Sequence, residues 1–137
     1  MNCRFLYCAL NGLPWTVFRG HSRTSTFLTD TIRTLANITD NFKPGETYNI
    51  GGSCHHTIEE LSDAVLKVTA ASPSLPQYRD SEVLTTRHKP VDVSKAITDL
   101  HHQDTYSLEE GLRITAEWMR EVYNLRTHKS IDARLEA

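Results

Sequence analysis

The chain has 137 residues, 39% hydrophobic and 23% charged, with a formal net charge of −2, which is an ordinary composition for one globular domain with its own core. That balance gives no basis for binding nucleic acid or an anionic membrane surface, and no apolar run approaches the ~18–20 residues that span a bilayer. Phe5–Leu10 is too short for the core of a signal peptide. The odd set Cys3, Cys8 and Cys54 reads as reduced, buried thiols rather than a disulfide framework, so a cytoplasmic chain is expected.

Asn2–Asn11 reads as a helix with Phe5, Leu6, Ala9 and Leu10 on its apolar side, closed by Gly12 with Pro14 beyond. It carries little charge, as an interior segment or a pairing surface would. Trp15–Phe18 has the residues of a short strand. Arg19–Thr26 is a polar loop rich in arginine, histidine and hydroxyls. It reads either as an anion-binding site, since arginine grips phosphate through parallel N–H bonds, or as a solvated loop. A helix capped by Thr29 or Asp30 follows to about Ile38, with Ile32, Leu35 and Ala36 expected inside.

After a turn at Asn41–Gly45, Glu46–Ile50 reads as a buried strand, with Tyr48 and Ile50 on one face, ending at Gly51-Gly52. Thr57 and Glu60 have capping-box spacing and open a helix through Ile58, Leu61, Ala64, Val65 and Val68. Strand, glycine turn and capped helix together predict a βα unit, the place where ligands of α/β proteins bind. Ala71–Pro76 reads as loop. Tyr78–Arg87 mixes strand formers with charges, and Arg87-His88-Lys89 is a second basic cluster. A short helix starting at Asp92 or Ser94 runs to Leu100. A second capping box, Ser107 with Glu110, opens a helix over about Leu108–Tyr123, with Leu112, Ala116, Met119 and Val122 or Tyr123 inward. Residues 126–137 form a loose tail.

Several chemistries have weak support. Cys54-His55-His56, even joined by His101-His102, lacks the paired ligands of a structural zinc site. No Gly-x-Ser-x-Gly elbow marks a nucleophilic triad. Asp30, Glu60, Asp92 and Glu110 stand at helix starts, where they act as caps rather than as an acid–base pair. Neither a Gly-x-Gly-x-x-Gly fingerprint nor a Walker-type loop occurs.

Taken in order, Trp15-Thr16-Val17-Phe18, Arg23–Asp30, Tyr48–Gly52, Thr57–Leu61, Val91–Ala96 and Ser107–Leu112 resemble the C-terminal part of NAD-dependent sugar-nucleotide epimerases and dehydratases, the extended short-chain dehydrogenases/reductases. The resemblance covers about Phe5–Tyr123. It implies a helix-rich α/β fold with few short strands, a partial C-terminal region of that family's fold. Residues 1–125 would be the substrate-binding region, without the Rossmann half. The family's nucleotide-diphosphate-binding arginine falls on Arg23, with Phe27 at the family's Tyr, Asp30 at its last Asp and Thr24 in place of its first. Arg87, or His88, is the second phosphate-binding residue that the resemblance suggests. Leu100-His101-His102-Gln103-Asp104 lacks the Gly and Pro that the family has there. The family's Tyr-x-x-x-Lys pair is missing, since none of the five Tyr has Lys four residues on.

The resemblance thus implies a nucleotide-sugar-binding fragment or separately encoded region, with no NAD site and no catalytic base of its own; the residues give no metal. NAD would belong to the complete family enzyme. The alternative is a non-catalytic, self-associating protein. In it, a homodimer or a separate NAD-binding half covers apolar surface, with the Phe5–Leu10 helix and the strand edges as candidates.

Overall fold

A computed structural model describes residues 2–53, 55–80 and 84–123; the tail at 126–137, Cys54 and Val83 lie outside the described residues. The order is α1 (Asn2–Leu10), β1 (Trp15–Phe18), β2 (Ser22–Thr24), α2 (Leu28–Asn41), β3 (His55–Thr57), α3 (Ile58–Thr69), β4 (Pro76–Arg79), α4 (Ser94–Leu100) and α5 (Leu108–Val122). The fold is the expected helix-rich α/β arrangement with few short strands.

The dry core lies where α1, α3 and α5 meet β1. Phe5, Leu6, Cys8 and Ala9 of α1 pack with Trp15 and Val17, with Ile58, Leu61, Ala64 and Val65 of α3, and with Leu112, Ala116 and Met119 of α5. Trp15 and Val17 are two apart and share the buried face of β1. The indole N–H of Trp15 would be costly to bury alone; it donates to Ser62 Oγ at 3.1 Å. Helix α1 ends as its glycine predicts. Gly12 takes φ +65°, Gly12 N–H bonds Ala9 O, and Leu13 N–H bonds Cys8 O at 2.8 Å, closing the last carbonyls in a Schellman motif. The capping box of α3 is complete: Glu60 N–H donates to Thr57 Oγ1 at 3.0 Å and Thr57 N–H to Glu60 Oε2 at 2.7 Å.

Sheet structure departs from expectation. Glu46–Ile50 forms no strand, because no neighbouring chain offers it a ladder; it runs along α4 instead. The strand that leads into α3 is β3, antiparallel to β2, so the polar loop Arg19–Thr26 contains a strand. Strand β4 pairs parallel with β1, Trp15 opposite Pro76 and Phe18 opposite Arg79; it begins at the last residue of the stretch that reads as loop and runs into the mixed stretch that starts at Tyr78. Pro76 is tolerated because it is the first residue of the strand.

Helix α2 is also inverted relative to its reading. Its buried residues are Asp30 and Thr34, while Leu28, Ile32 and Leu35 are exposed. Asp30 does not cap α2, whose N-cap is Phe27; it reaches across to the loop before α5. Helix α4 starts at Ser94, with Asp92 Oδ1 accepting from Ser94 N–H at 3.0 Å. At α5, Ser107 Oγ accepts from Glu110 N–H at 3.2 Å, giving the first half of the second capping box; Val122 and Tyr123 face outward. Cys8 is buried as expected, but Cys3 is exposed. The Phe5–Leu10 helix buries Phe5, Leu6, Cys8 and Ala9 in the core; exposed apolar residues cluster on α2, with Trp118 and Val122 of α5 also exposed. No helix among the described residues is long and apolar enough to cross a membrane.

Candidate functional site

The β2–β3 ribbon organises the polar chemistry. Pairing sets Ser22 opposite Thr57, Arg23 opposite His56 and Thr24 opposite His55. The basic segment that follows β4 joins the other edge: Ser22 N–H donates to Arg87 O at 2.8 Å, and Ser22 forms an isolated parallel bridge with His88. Arg23, Arg87 and His88 are therefore brought together. Arg23 Nη1 donates to Ser22 O at 2.6 Å and to Arg87 O at 2.9 Å, so one arm of its guanidinium staples the two segments. Ser22 Oγ lies 2.7 Å from His88 Nδ1 and 2.7 Å from His55 Nε2. A hydroxyl donates once and accepts twice, so at most one of the two imidazoles accepts from it. The backbone carries Arg87 and His88 at the exposed rim, with Arg23 half-buried behind them.

Beside this rim lies a cleft of about 490 Å³, walled by Phe27, Leu28, Leu108, Leu112 and Trp118, with Ser25, His56 and Asp104 as polar members. Local packing fixes its floor. The Phe27 and Tyr106 rings pack tilted by 44°, with 4.5 Å between centroids. Gly111 allows this, since a Cβ there would come within 3.1 Å of the Phe27 ring. Gly52 is under a harder constraint: a Cβ would lie 2.0 Å from Ser25 O. Its N–H donates to Thr26 Oγ1 at 2.6 Å, so the glycine turn clamps the backbone that carries Ser25 and Thr26.

The loop ahead of α5 is held from α2. Asp30, fully buried, accepts from Thr105 N–H at 3.0 Å, from Tyr106 N–H at 3.3 Å and from the Thr105 hydroxyl. Burial by itself pushes this carboxyl up. The Thr105 and Tyr106 hydrogen bonds and the Arg33 charge together outweigh it and hold the group below the usual carboxylate range. Asp104 Oδ2 accepts from Ser53 N–H at 2.8 Å and Ser53 Oγ at 2.9 Å. His102 sits buried between Thr34 Oγ1 at 2.6 Å and Gly51 O at 2.7 Å. It is thus a structural pin, and among the described residues no group of three or more His, Cys, Asp or Glu side chains could hold a metal ion.

Gly51 and Gly52 are both buried, and Gly52 packs directly against Ser25 O. Sequence reading placed Ser25 in the polar loop, His56 in a weak metal candidate and Asp104 in the 100–104 stretch, and did not join them. Ser25 and His56 are joined only by strand pairing, and no local spacing announces them.

The chain matches no protein-family model. It is 26% identical over 129 residues to the UDP-N-acetyl-alpha-D-glucosaminuronate decarboxylase of Bacillus cytotoxicus, which covers 88% of this chain and 40% of that protein. It is 27% identical over 85 residues to the dTDP-glucose 4,6-dehydratase of Haemophilus influenzae, covering 54% of this chain and 25% of the relative. Among solved structures, the UDP-glucuronic acid 4-epimerase of Bacillus cereus, in complex with UDP-glucuronic acid and NAD, superposes with a TM-score of 0.78 at 27% identity; the match covers 90% of this chain and 40% of that one. The chain thus spans about two-fifths, or less, of the length of these relatives. By sequence and by fold it is a relative, over that part of their length, of the NAD-dependent nucleotide-sugar epimerases and dehydratases of the extended short-chain dehydrogenase/reductase family.

Proposed function

We propose that residues 1–125 are a nucleotide-diphosphate-sugar-binding region, a fragment or separately encoded part of an epimerase or dehydratase of this kind, with the 126–137 tail outside it. The observation that carries this reading is the convergence of Arg23, Arg87 and His88 on Ser22. One arm of Arg23 is engaged by backbone carbonyls. The remaining N–H groups of its fork, with Arg87 and His88 at the rim, supply the cationic donors that a diphosphate takes. On this reading the chain works in the cytoplasm and binds and orients the sugar nucleotide. The hydride transfer to and from NAD takes place on a separate NAD-binding half, since this chain carries no Tyr-x-x-x-Lys pair.

Titration calorimetry with UDP-sugars and dTDP-sugars tests it. The expected result is saturable binding to one nucleotide class that weakens with salt. Arg23→Ala should lower affinity tenfold or more, by the ~1.5–3 kcal/mol of a charge-assisted hydrogen bond. Unchanged affinity in that variant rejects Arg23 as a ligand.

A second reading, a non-catalytic self-associating protein, is favoured by one feature, the exposed Leu28, Ile32 and Leu35 face of α2. A homodimer or an NAD-binding partner chain would cover it. Light scattering that gives a dimer, converted to monomer by Ile32→Glu, supports that reading. A monomer at all concentrations, with no binding to an NAD-binding half, rejects it.

A further inference from the structure

The Ser25 and His56 side chains are not used by the phosphate site. Ser25 Oγ lies 2.6 Å from His56 Nε2. His56 Nδ1 lies 3.1 Å from the carbonyl oxygen of Thr57. A carbonyl only accepts, so Nδ1 holds the imidazole proton, Nε2 presents a lone pair, and the Ser25 hydroxyl donates to it. Asn2 Nδ2 donates to Ser25 Oγ at 2.8 Å, which keeps the hydroxyl proton on the imidazole side. The result is a directed chain: amide to hydroxyl, hydroxyl to imidazole, imidazole to carbonyl. It has the nucleophile, base and orienter of covalent catalysis.

The placement suits that use. His56 is 5% exposed, so its basic nitrogen is shielded from bulk water. Ser25 and His56 both line the apolar cleft, beside Phe27, Leu108, Leu112 and Trp118. The Gly52 turn holds the Ser25 backbone by a contact that no other residue permits. Asp104 Oδ1 is buried without a partner among the described residues, giving the cleft one acceptor for a donor on a bound molecule.

We propose that Ser25 and His56 form a serine nucleophile and general base that cleave small carboxylic esters with an apolar acyl group. Ser25 Oγ attacks the ester carbonyl carbon while its proton passes to His56 Nε2, giving a tetrahedral oxyanion. The C–O bond to the alcohol breaks, and the alcohol takes the proton back from His56. Water, activated by the same nitrogen, then attacks the acyl-serine, releases the acid and restores the hydroxyl. The activity is separate from nucleotide-sugar binding and does not depend on it.

A fluorophosphonate probe tests this directly, because Oγ displaces fluoride from phosphorus and leaves a stable adduct. Peptide mapping of the folded, unmodified chain should find the adduct on Ser25, and unfolding in urea before exposure should abolish it. His56→Gln should slow labelling about a hundredfold or more, the usual share of a general base. The chain should hydrolyse p-nitrophenyl butyrate, and labelling should stop it. Absence of an adduct on Ser25 in the folded chain overturns the proposal. So does equal labelling of folded and unfolded chain, which needs no variant to fold. An unchanged rate in a His56→Gln chain whose melting curve matches the parent overturns it too.

Discussion

Two halves of this molecule are held together by different physics. Around β1, the helices α1, α3 and α5 share a dry core in which Leu6, Val17, Leu61 and Val65 are wholly removed from water. Around α2, the contacts with α4, the glycine turn and the 101–107 loop are made by Asp30, Thr34, Asn37 and His102. The apolar residues of α2 face outward. The 43–50 stretch is tied to α4 in the same polar manner. Lys43 Nζ pairs with Asp99 at 2.6 Å, Tyr48 Oη donates to the same carboxylate at 3.1 Å, and Lys95 pairs with Glu46. The Lys43 hydrogen bond leads in holding Asp99 below the usual carboxylate range. Burial stabilises the first half without regard to direction. The second buries Val93, Ala96 and Leu100 around α4, but its named joints to α2 and the 101–107 loop are individual hydrogen bonds, each costly to leave half-made.

The largest expected effect comes from the dry half. Leu61→Ala should cost about 3–4 kcal/mol, the transfer term plus the cavity left among packed helices. Urea denaturation should show the midpoint falling with little change in slope. A loss under about 1 kcal/mol would mean that α1, α3 and α5 repack freely.

Asp30→Ala should cost somewhat less, about 2–3 kcal/mol, by leaving the Thr105 and Tyr106 N–H groups unpaired. It also has a pH signature. The folded-state pKa of Asp30 is depressed from 3.8, so the contribution is fully present above that value and is lost as pH falls through the lower folded pKa. Stability measured downward from pH 5 should therefore fall less steeply in Asp30→Asn than in the parent chain. Equal slopes would show that Asp30 does not carry the acid sensitivity of this half.

Gly52→Ala tests the joint between the glycine turn and the Ser25 segment. With Ser25 O at 2.0 Å from the new Cβ, the backbone must move, at a cost of about 1–3 kcal/mol. The fluorophosphonate reactivity of Ser25 should drop with it. A variant of parental stability would indicate that the turn and the strand can separate.

These contrasts also explain what the sequence could reveal. Periodicity located α1, α3 and α5 because in them the apolar stripe is the buried stripe; Leu61, Ala64 and Val65 lie where helical spacing puts them. The same rule failed for α2, because Asp30 and Thr34, four apart on one face, take the buried position and rotate Ile32 and Leu35 to solvent. Capping chemistry is local, so Thr57 and Glu60 were legible. Ladders are not local: Glu46–Ile50 has strand propensity and no neighbour, while Pro76–Arg79 has little and pairs with β1. Arg23, Arg87 and His88 could be picked by residue type and by family position, and the structure brings them together on Ser22. Ser25 and His56 could not, since only the β2–β3 pairing joins them.

The smallest expected effect has the opposite sign and compares the two halves directly. Each ends a helix with a non-glycine residue in the left-handed region: Ala70 after α3 at φ +54° and His101 after α4 at φ +53°. A Cβ there crowds the following carbonyl, at a cost of about 1–2 kcal/mol that glycine avoids, partly offset by glycine's freer unfolded chain. Ala70→Gly should thus gain about 0.5–1 kcal/mol, because a small exposed residue is exchanged for a smaller one and no partner is lost. His101→Gly should gain less. Its backbone leads straight into His102, whose N–H closes α4 on Ala96 O at 3.1 Å and whose ring pins Thr34 to Gly51, and added freedom next to a directional contact loosens it. If both variants gain equally in thermal melts, the polar half tolerates backbone freedom as well as the dry half does. A gain confined to Ala70→Gly would locate the stricter geometric demand at the His102 pin.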